Sequence, residues 1–121
     1  MTQILNCEIH DCGSHGVKQD SQLGLEGFTL VGSIIRDNGS AGLWMKTQGI
    51  GFLHVIRSNI FHANTGDGIE AQATVGARWG FMTIMNNLFT SNGGYGIQST
   101  SASDANWVSH NDYNAFHSNT S

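Results

Sequence analysis

Glycine–aliphatic pairs recur at near-constant spacing, apolar residues hold fixed offsets from them, and Pro is absent from a chain with 16 glycines. These observations predict an all-β chain wound as a right-handed parallel β-helix, a single-stranded solenoid of about five coils. The pairs are Gly16-Val17, Gly42-Leu43, Gly68-Ile69 and Gly96-Ile97, at separations of 26, 26 and 28 residues. Seven residues before each glycine stand Ile9, Ile35, Phe61 and Phe89. Twelve before stand Ile4, Leu30, Ile56 and Ile84, nine before stand Cys7, Ser33, Asn59 and Asn87, and four before stand Cys12, Asn38, Asn64 and Asn92. A further copy starts with Asn114, Phe116 and Asn119.

Each element of a coil follows from this pattern. The apolar positions are too sparse for spacings of three and four, and glycines interrupt every long segment, so helices are excluded. Short strands with one or two inward aliphatic or aromatic residues, each followed by a polar turn, fit instead. Stacking then sets every column residue about 4.8 Å from its copy in the next coil. Ile9, Ile35, Phe61, Phe89 and Phe116 become one internal stack. The asparagines are read as architecture rather than ligands: Asn tolerates the positive φ of a tight turn, and stacked amides bond along the axis.

At 121 residues the chain is one β-helix domain or part of one, residues 1–121, with coils anchored near 16, 42, 68 and 96 and an incomplete coil at 107–121. Charged residues make up 12%, which is not the composition of a disordered chain. The net charge of -4 and five scattered Lys and Arg offer no basic stripe, so no nucleic-acid partner is expected. No long apolar run and no signal peptide occur in the sequence, and no membrane partner is expected. Cys7 and Cys12 bracket one extended segment, too far apart for a disulfide, and are read as free thiols. Asn38-Gly-Ser and Asn119-Thr-Ser match the glycosylation acceptor pattern by accident of an Asn-rich repeat.

The runs Ile56-Arg-Ser-Asn59-Ile-Phe61-His-Ala-Asn64 with Gly68-Ile69, Ile84-Met-Asn-Asn87-Leu-Phe89-Thr-Ser-Asn92 with Gly96-Ile97, and Asn111-Asp-Tyr-Asn114-Ala-Phe116 resemble the repeat of the pectin-lyase-like right-handed β-helix superfamily. The resemblance covers essentially the whole chain. It implies that the strand after each glycine belongs to the sheet that carries the cleft, that Ile56–Ser58 lies on a second sheet and Ile60–His62 on a third. It implies an Asn ladder at Asn59 and Asn87, from which Cys7 and Ser33 depart. It also implies a polysaccharide or other glycan as partner and an extracellular or cell-surface location, and no cofactor. The catalytic signatures of polygalacturonases and the calcium site of pectate lyases are absent from the sequence.

Alternation on the cleft-type strand turns Lys18, Trp44, Glu70 and Gln98 outward, with Asp20, Lys46, Gln72 and Thr100 two residues on. Trp44 offers an apolar face for a sugar ring, and the surrounding groups can bind hydroxyls or carboxylates. Lys18, Asp20, Trp44 and Gln72 are candidate substrate-binding residues. Glu70 and Lys46 are the catalytic candidates of a glycoside hydrolase or lyase, a hydrolase needing Asp67 or a loop residue as its second carboxylate. The competing reading pairs Asp20 with Lys46 in an exposed ion pair. Arg78 and Trp79, in one of the longest connections, either contact the ligand or cover the flank of the coil.

A second outward column holds His10, Arg36, His62, Thr90 and His117 beside Asp11 and Asp37. It is read as turn chemistry, and no metal is proposed. Three functions stay open: a carbohydrate-active segment that binds and cleaves a polysaccharide, a non-catalytic stalk, adhesin or tailspike-like shaft, and between them a sugar-binding module without catalysis. The lack of a paired outward carboxylate on the cleft strand favours the non-catalytic readings. A coil stack exposes strand edges at its ends, so the chain is expected to continue in a longer polypeptide or to self-associate through those ends.

Overall fold

A computed structural model of the chain describes residues 1–21, 27–47, 53–74, 81–101 and 108–120. The first coil holds β1 (Thr2–Leu5), β2 (Glu8–His10) and β3 (Val17–Ser21), and the second β4 (Phe28–Val31), β5 (Ile34–Arg36) and β6 (Leu43–Thr47). The third holds β7 (His54–Arg57), β8 (Ile60–His62) and β9 (Ile69–Ala73), and the fourth β10 (Phe81–Met85), β11 (Leu88–Thr90) and β12 (Ile97–Ser101). Two strands of a fifth follow, β13 (Val108–Asp112) and β14 (Ala115–His117). The coil count is thus four three-strand coils and part of another, slightly short of five.

Like strands pair in parallel from coil to coil. Sheet A runs β1-β4-β7-β10-β13, sheet B runs β2-β5-β8-β11-β14 and sheet C runs β3-β6-β9-β12. The register joins Ile4, Leu30, Ile56 and Ile84 on sheet A and Ile9, Ile35, Phe61, Phe89 and Phe116 on sheet B. On sheet C it joins Val17, Leu43, Ile69 and Ile97. These columns meet in one core, where Leu30, Ile35, Leu43, Ile56, Phe61, Ile69 and Phe89 are fully buried. The rings of Phe61 and Phe89 lie 5.0 Å apart and 5° from parallel, and Phe89 stacks on Phe116 at 5.0 Å.

The recurrent glycine exists for close approach. A Cβ on Gly42 would stand 2.9 Å from the carbonyl oxygen of Gly68 and 2.9 Å from the Phe61 ring. On Gly68 it would meet the Gly96 carbonyl at 2.5 Å and the Phe89 ring at 2.6 Å. The aromatic column can fill the tube because the neighbouring strand begins on a residue without a side chain.

Two ladders of side chains run along the corners. At the corner between sheets A and B, the N–H groups of Cys7, Ser33, Asn59 and Asn87 donate to Ser33 Oγ, Asn59 Oδ1, Asn87 Oδ1 and Asn114 Oδ1 at 2.9–3.1 Å. After sheet B, the N–H groups of Cys12, Asn38, Asn64 and Asn92 donate to the Oδ1 of Asn38, Asn64, Asn92 and Asn119 at 3.1–3.3 Å. The amides of Asn64, Asn87 and Asn92 each accept two bonds and donate two. Asn64 Oδ1 also accepts from Asn38 Nδ2, while its own Nδ2 donates to Ile35 O and Asn92 Oδ1. Ser33 therefore keeps the backbone bond of the ladder through its hydroxyl, which itself donates to Val31 O, but it lacks the amide that Asn59 and Asn87 each extend to the next side chain.

One expectation needs correction. The ladder asparagines are not the residues of positive φ; the residue before each one is. Asp37, Ser58, Ala63, Asn86, Ser91, Tyr113 and Ser118 have φ between 50° and 57°, with Gly32 at 65°. Asn must point inward to bond, so the bend falls on its outward-facing predecessor, where any side chain has room but pays the left-handed cost. The strand expected over Ile56–Ser58 accordingly stops at Arg57, before the left-handed Ser58, and starts earlier, at His54.

Candidate functional site

Sheet C has five-residue strands, which alternate burial along β6 and β9 as inward, outward, inward, outward, inward. Parallel register converts this alternation into two straight outward columns. Lys18, Trp44, Glu70 and Gln98 align in the first, and Asp20, Lys46, Gln72 and Thr100 in the second. All six candidate residues described on this face are thus brought together as the alternation predicts. Arg78 and Trp79 lie outside the described residues, as do the interiors of the long connections at 22–26, 75–80 and 102–107.

Trp44 is the centre of the face. Lys18 Nζ stands 4.9 Å from its ring centroid, a cation–π distance, and the His15 ring stacks on it at 5.6 Å and 26°. His15 sits in the turn before β3, outside the outward columns that alternation predicts. The signal for it was present: it precedes the glycine anchor and so lies at the mouth of the strand. Two groups of the first coil therefore fix the indole of the second, leaving Trp44 half-buried rather than free to rotate.

Next along the axis is Glu70, whose Oε1 accepts from Gln72 Nε2 at 2.5 Å. The register neighbours Asp20 and Lys46 do not pair. Among the described residues the ion pairs are His10–Asp11, Arg36–Glu8 and Arg36–Asp37, all on sheet B. The expected ion pair is thus not formed, and Lys46 keeps its ammonium on the open face. Long, exposed side chains gain too little from pairing in water to be held in one geometry.

Asp67 is the second carboxyl near Glu70, and it is buried. It lies in the turn before Gly68, where its Oδ1 accepts the Tyr95 N–H at 2.6 Å. Burial raises its pKa above the ordinary carboxylate value, the Tyr95 N–H opposes that, and the nearby Glu70 charge adds to the rise. The carboxyl is therefore tied into the coil rather than presented beside Glu70 on the outward columns.

On the sheet B column the carboxylates meet neighbouring side chains. Arg36 Nε donates to Glu8 Oε1 at 2.7 Å and Nη1 to Asp37 Oδ2 at 2.6 Å, and His10 Nδ1 meets Asp11 Oδ2 at 2.7 Å. Among the described residues no three His, Cys, Asp or Glu converge as metal ligands. Both cysteines are free thiols. Beside this column Ile34, Ile60 and Leu88 stand outward in register, partly exposed, and Ile60 and Leu88 line a shallow groove of about 510 Å³ with Tyr113 and Ala115.

Comparison of the chain with curated proteins and with solved structures finds no match. A family model does match the stacked coils. Residues 1–113 match the model of the right-handed beta helix region, and the chain belongs to that family.

Proposed function

We propose that the outward face of sheet C binds a polysaccharide, with Trp44 as the platform for one sugar ring and Lys18, Glu70, Gln72 and Gln98 as hydrogen-bonding partners along the axis. The observation that carries this reading is the indole of Trp44 held by His15 and Lys18 in the middle of a column of polar side chains. A fixed aromatic surface flanked by donors and acceptors is what a sugar ring requires, since ordering it on binding then costs little. Such a role fits a protein acting outside the cell or at its surface.

Binding without cleavage is the simpler form. Glu70 is engaged by Gln72, and the neighbouring carboxyl of Asp67 is buried. One observation favours a cleaving form: Asp67 and Glu70 interact electrostatically, and burial favours the protonated form of Asp67, the division of labour that an acid and a base need. In that form Asp67 serves as the acid and Glu70 as the base, with Lys46 on the same outward face to meet a substrate carboxylate.

A glycan array with the chain and with Trp44→Ala tests the reading. Loss of binding by at least about tenfold in the variant, with an unchanged melting curve, is expected. Equal binding by both would leave the columns as a solvated coil surface, the stalk reading. Reducing-end and unsaturated-product assays on any glycan that binds, repeated with Glu70→Gln and Asp67→Asn, separate binding from cleavage.

A further inference from the structure

Two asparagines of the chain are followed by glycine, Asn38-Gly39 and Asn92-Gly93. In an unfolded chain this pair is chemically labile, because a glycine nitrogen has no side chain beside it to hinder attack on the preceding Cγ. The new N–Cγ bond closes a succinimide, the Cγ–Nδ2 bond breaks, and the amide nitrogen leaves as ammonia with the proton of the glycine N–H. Water then opens the ring at either carbonyl, giving aspartate or an isoaspartate whose main chain is one carbon longer.

Both pairs occupy the same slot of the fold, the ladder after sheet B, where each participant in that reaction is held. Asn38 and Asn92 are buried. Asn38 Oδ1 accepts the Cys12 N–H at 3.1 Å, and its Nδ2 donates to Asn64 Oδ1 at 2.9 Å. Asn92 Nδ2 donates to Phe61 O at 3.0 Å and to Asn119 Oδ1 at 2.9 Å, while its Oδ1 accepts two bonds from Asn64. The attacking nitrogens are engaged too: the Gly39 and Gly93 N–H groups donate to Cys12 O and Asn64 O, both at 2.8 Å. Amide and nucleophile are thus each bonded to neighbouring coils instead of meeting one another. A converted residue does not suit the slot. At Asn92 a carboxylate would bury a charge and set an oxygen against the Phe61 carbonyl and Asn119 Oδ1. An isoaspartate would displace the Gly93 backbone, which approaches the Thr65 carbonyl too closely for even a Cβ.

We infer that Asn38 and Asn92 are modification sites that only the unfolded chain exposes: the wound ladder blocks succinimide formation, and succinimide formation in the unfolded chain spoils the ladder. The fold is durable once wound, and a chain kept unfolded loses the amides it needs to wind again.

The test holds one portion of the chain folded in buffer and another unfolded in guanidinium chloride, at the same mildly alkaline pH and temperature under reducing conditions, with peptide mapping by mass spectrometry over time. Conversion of Asn38 and Asn92 is expected to be at least about tenfold slower in the folded portion, since it must there await local opening. In the unfolded portion both are expected to convert ahead of Asn64, which shares their slot but precedes Thr65. Ion exchange in denaturant then separates chains that have gained a carboxylate from the rest. Chains altered only at Asp67-Gly68, where the same cyclisation releases water and leaves the charge unchanged, stay with the unconverted fraction. The converted fraction is expected to lose at least about tenfold in folding equilibrium constant, read by circular dichroism on denaturant dilution. Equal conversion rates in the two portions overturn the inference, and so does a converted fraction that refolds as stably as the unconverted one. Should neither fraction refold, Asn92→Asp expressed directly is melted beside the chain: a lower melting temperature is expected, and an unchanged one overturns the inference.

Discussion

The ladder amides are the residues on which the fold is most exposed to single changes. Asn64 accepts two hydrogen bonds and donates two, all in the buried interior. Asn64→Ala leaves the Asn38 N–H, the Ile35 carbonyl and the Asn92 oxygen without that partner, and a loss of about 3 kcal/mol in urea unfolding is expected. Asn64→Asp is expected to be at least as damaging, because an acid sets oxygen against the Ile35 carbonyl and Asn92 Oδ1. The preceding residue behaves in the opposite sense. Ala63 has φ 50°, and Ala63→Gly relieves a left-handed Cβ, with a gain of up to about 1 kcal/mol expected from the same measurement.

A buried imidazole gives the fold its pH dependence. His54 stands in register with Phe28 and Met82 inside sheet A, and burial pushes its pKa down to about 4. In the unfolded chain it titrates near 6.5, so between pH 6.5 and about 4 the unfolded state binds the proton and the folded state does not. Stability is complete above that window and falls as pH drops through it, by on the order of 3 kcal/mol in total. Thermal melts between pH 7 and pH 4 on the chain and on His54→Phe test this. The variant is expected to show a flatter profile, because the aromatic slot is kept and the titrating group removed.

At the scale of the element, each strand is too short to stand alone and is defined by what lies on either side of it. Phe89 is held between Phe61 and Phe116, so Phe89→Ala removes the middle of a continuous stack, and a loss of roughly 3–5 kcal/mol is expected. Gly68→Ala attacks the same place from the neighbouring strand, driving a methyl into the Gly96 carbonyl and the Phe89 ring. A cost of roughly 1–3 kcal/mol is expected there, and combining Gly68→Ala with Phe89→Leu is expected to be less costly than the sum, since the smaller side chain makes room. The columns behind these predictions were legible in the sequence because parallel stacking makes one period serve every strand. The left-handed position was not, because Asp, Ser, Ala, Asn, Tyr and Gly all occupy it.

At the scale of the molecule, stability is a sum over coils and the interfaces between them. Residues 33–58 make up one full period of 26 residues, and removing them joins Gly32 to Asn59. The junction keeps a left-handed glycine followed by a ladder asparagine, and Asn59 Oδ1 takes the place of Ser33 Oγ as acceptor for Cys7 N–H. The shortened chain is expected to retain its β spectrum with a lower melting temperature. A chain that unfolds altogether on this deletion would contradict a repeat in which each coil touches only its neighbours.

The sequence alone determined the winding, the identity of the inward columns and the outward alignment of Lys18, Trp44, Glu70 and Gln98, because a fixed period leaves a coiled chain one way to bury its apolar residues. Tertiary structure alone decided that His15 and Lys18 hold the Trp44 ring, that Asp67 turns into the coil, that Asp20 and Lys46 stay apart and that His54 lies in the core. Those outcomes depend on side-chain directions and distances between neighbouring coils. A period specifies which residues become neighbours, and the packing around each pair then decides whether they touch.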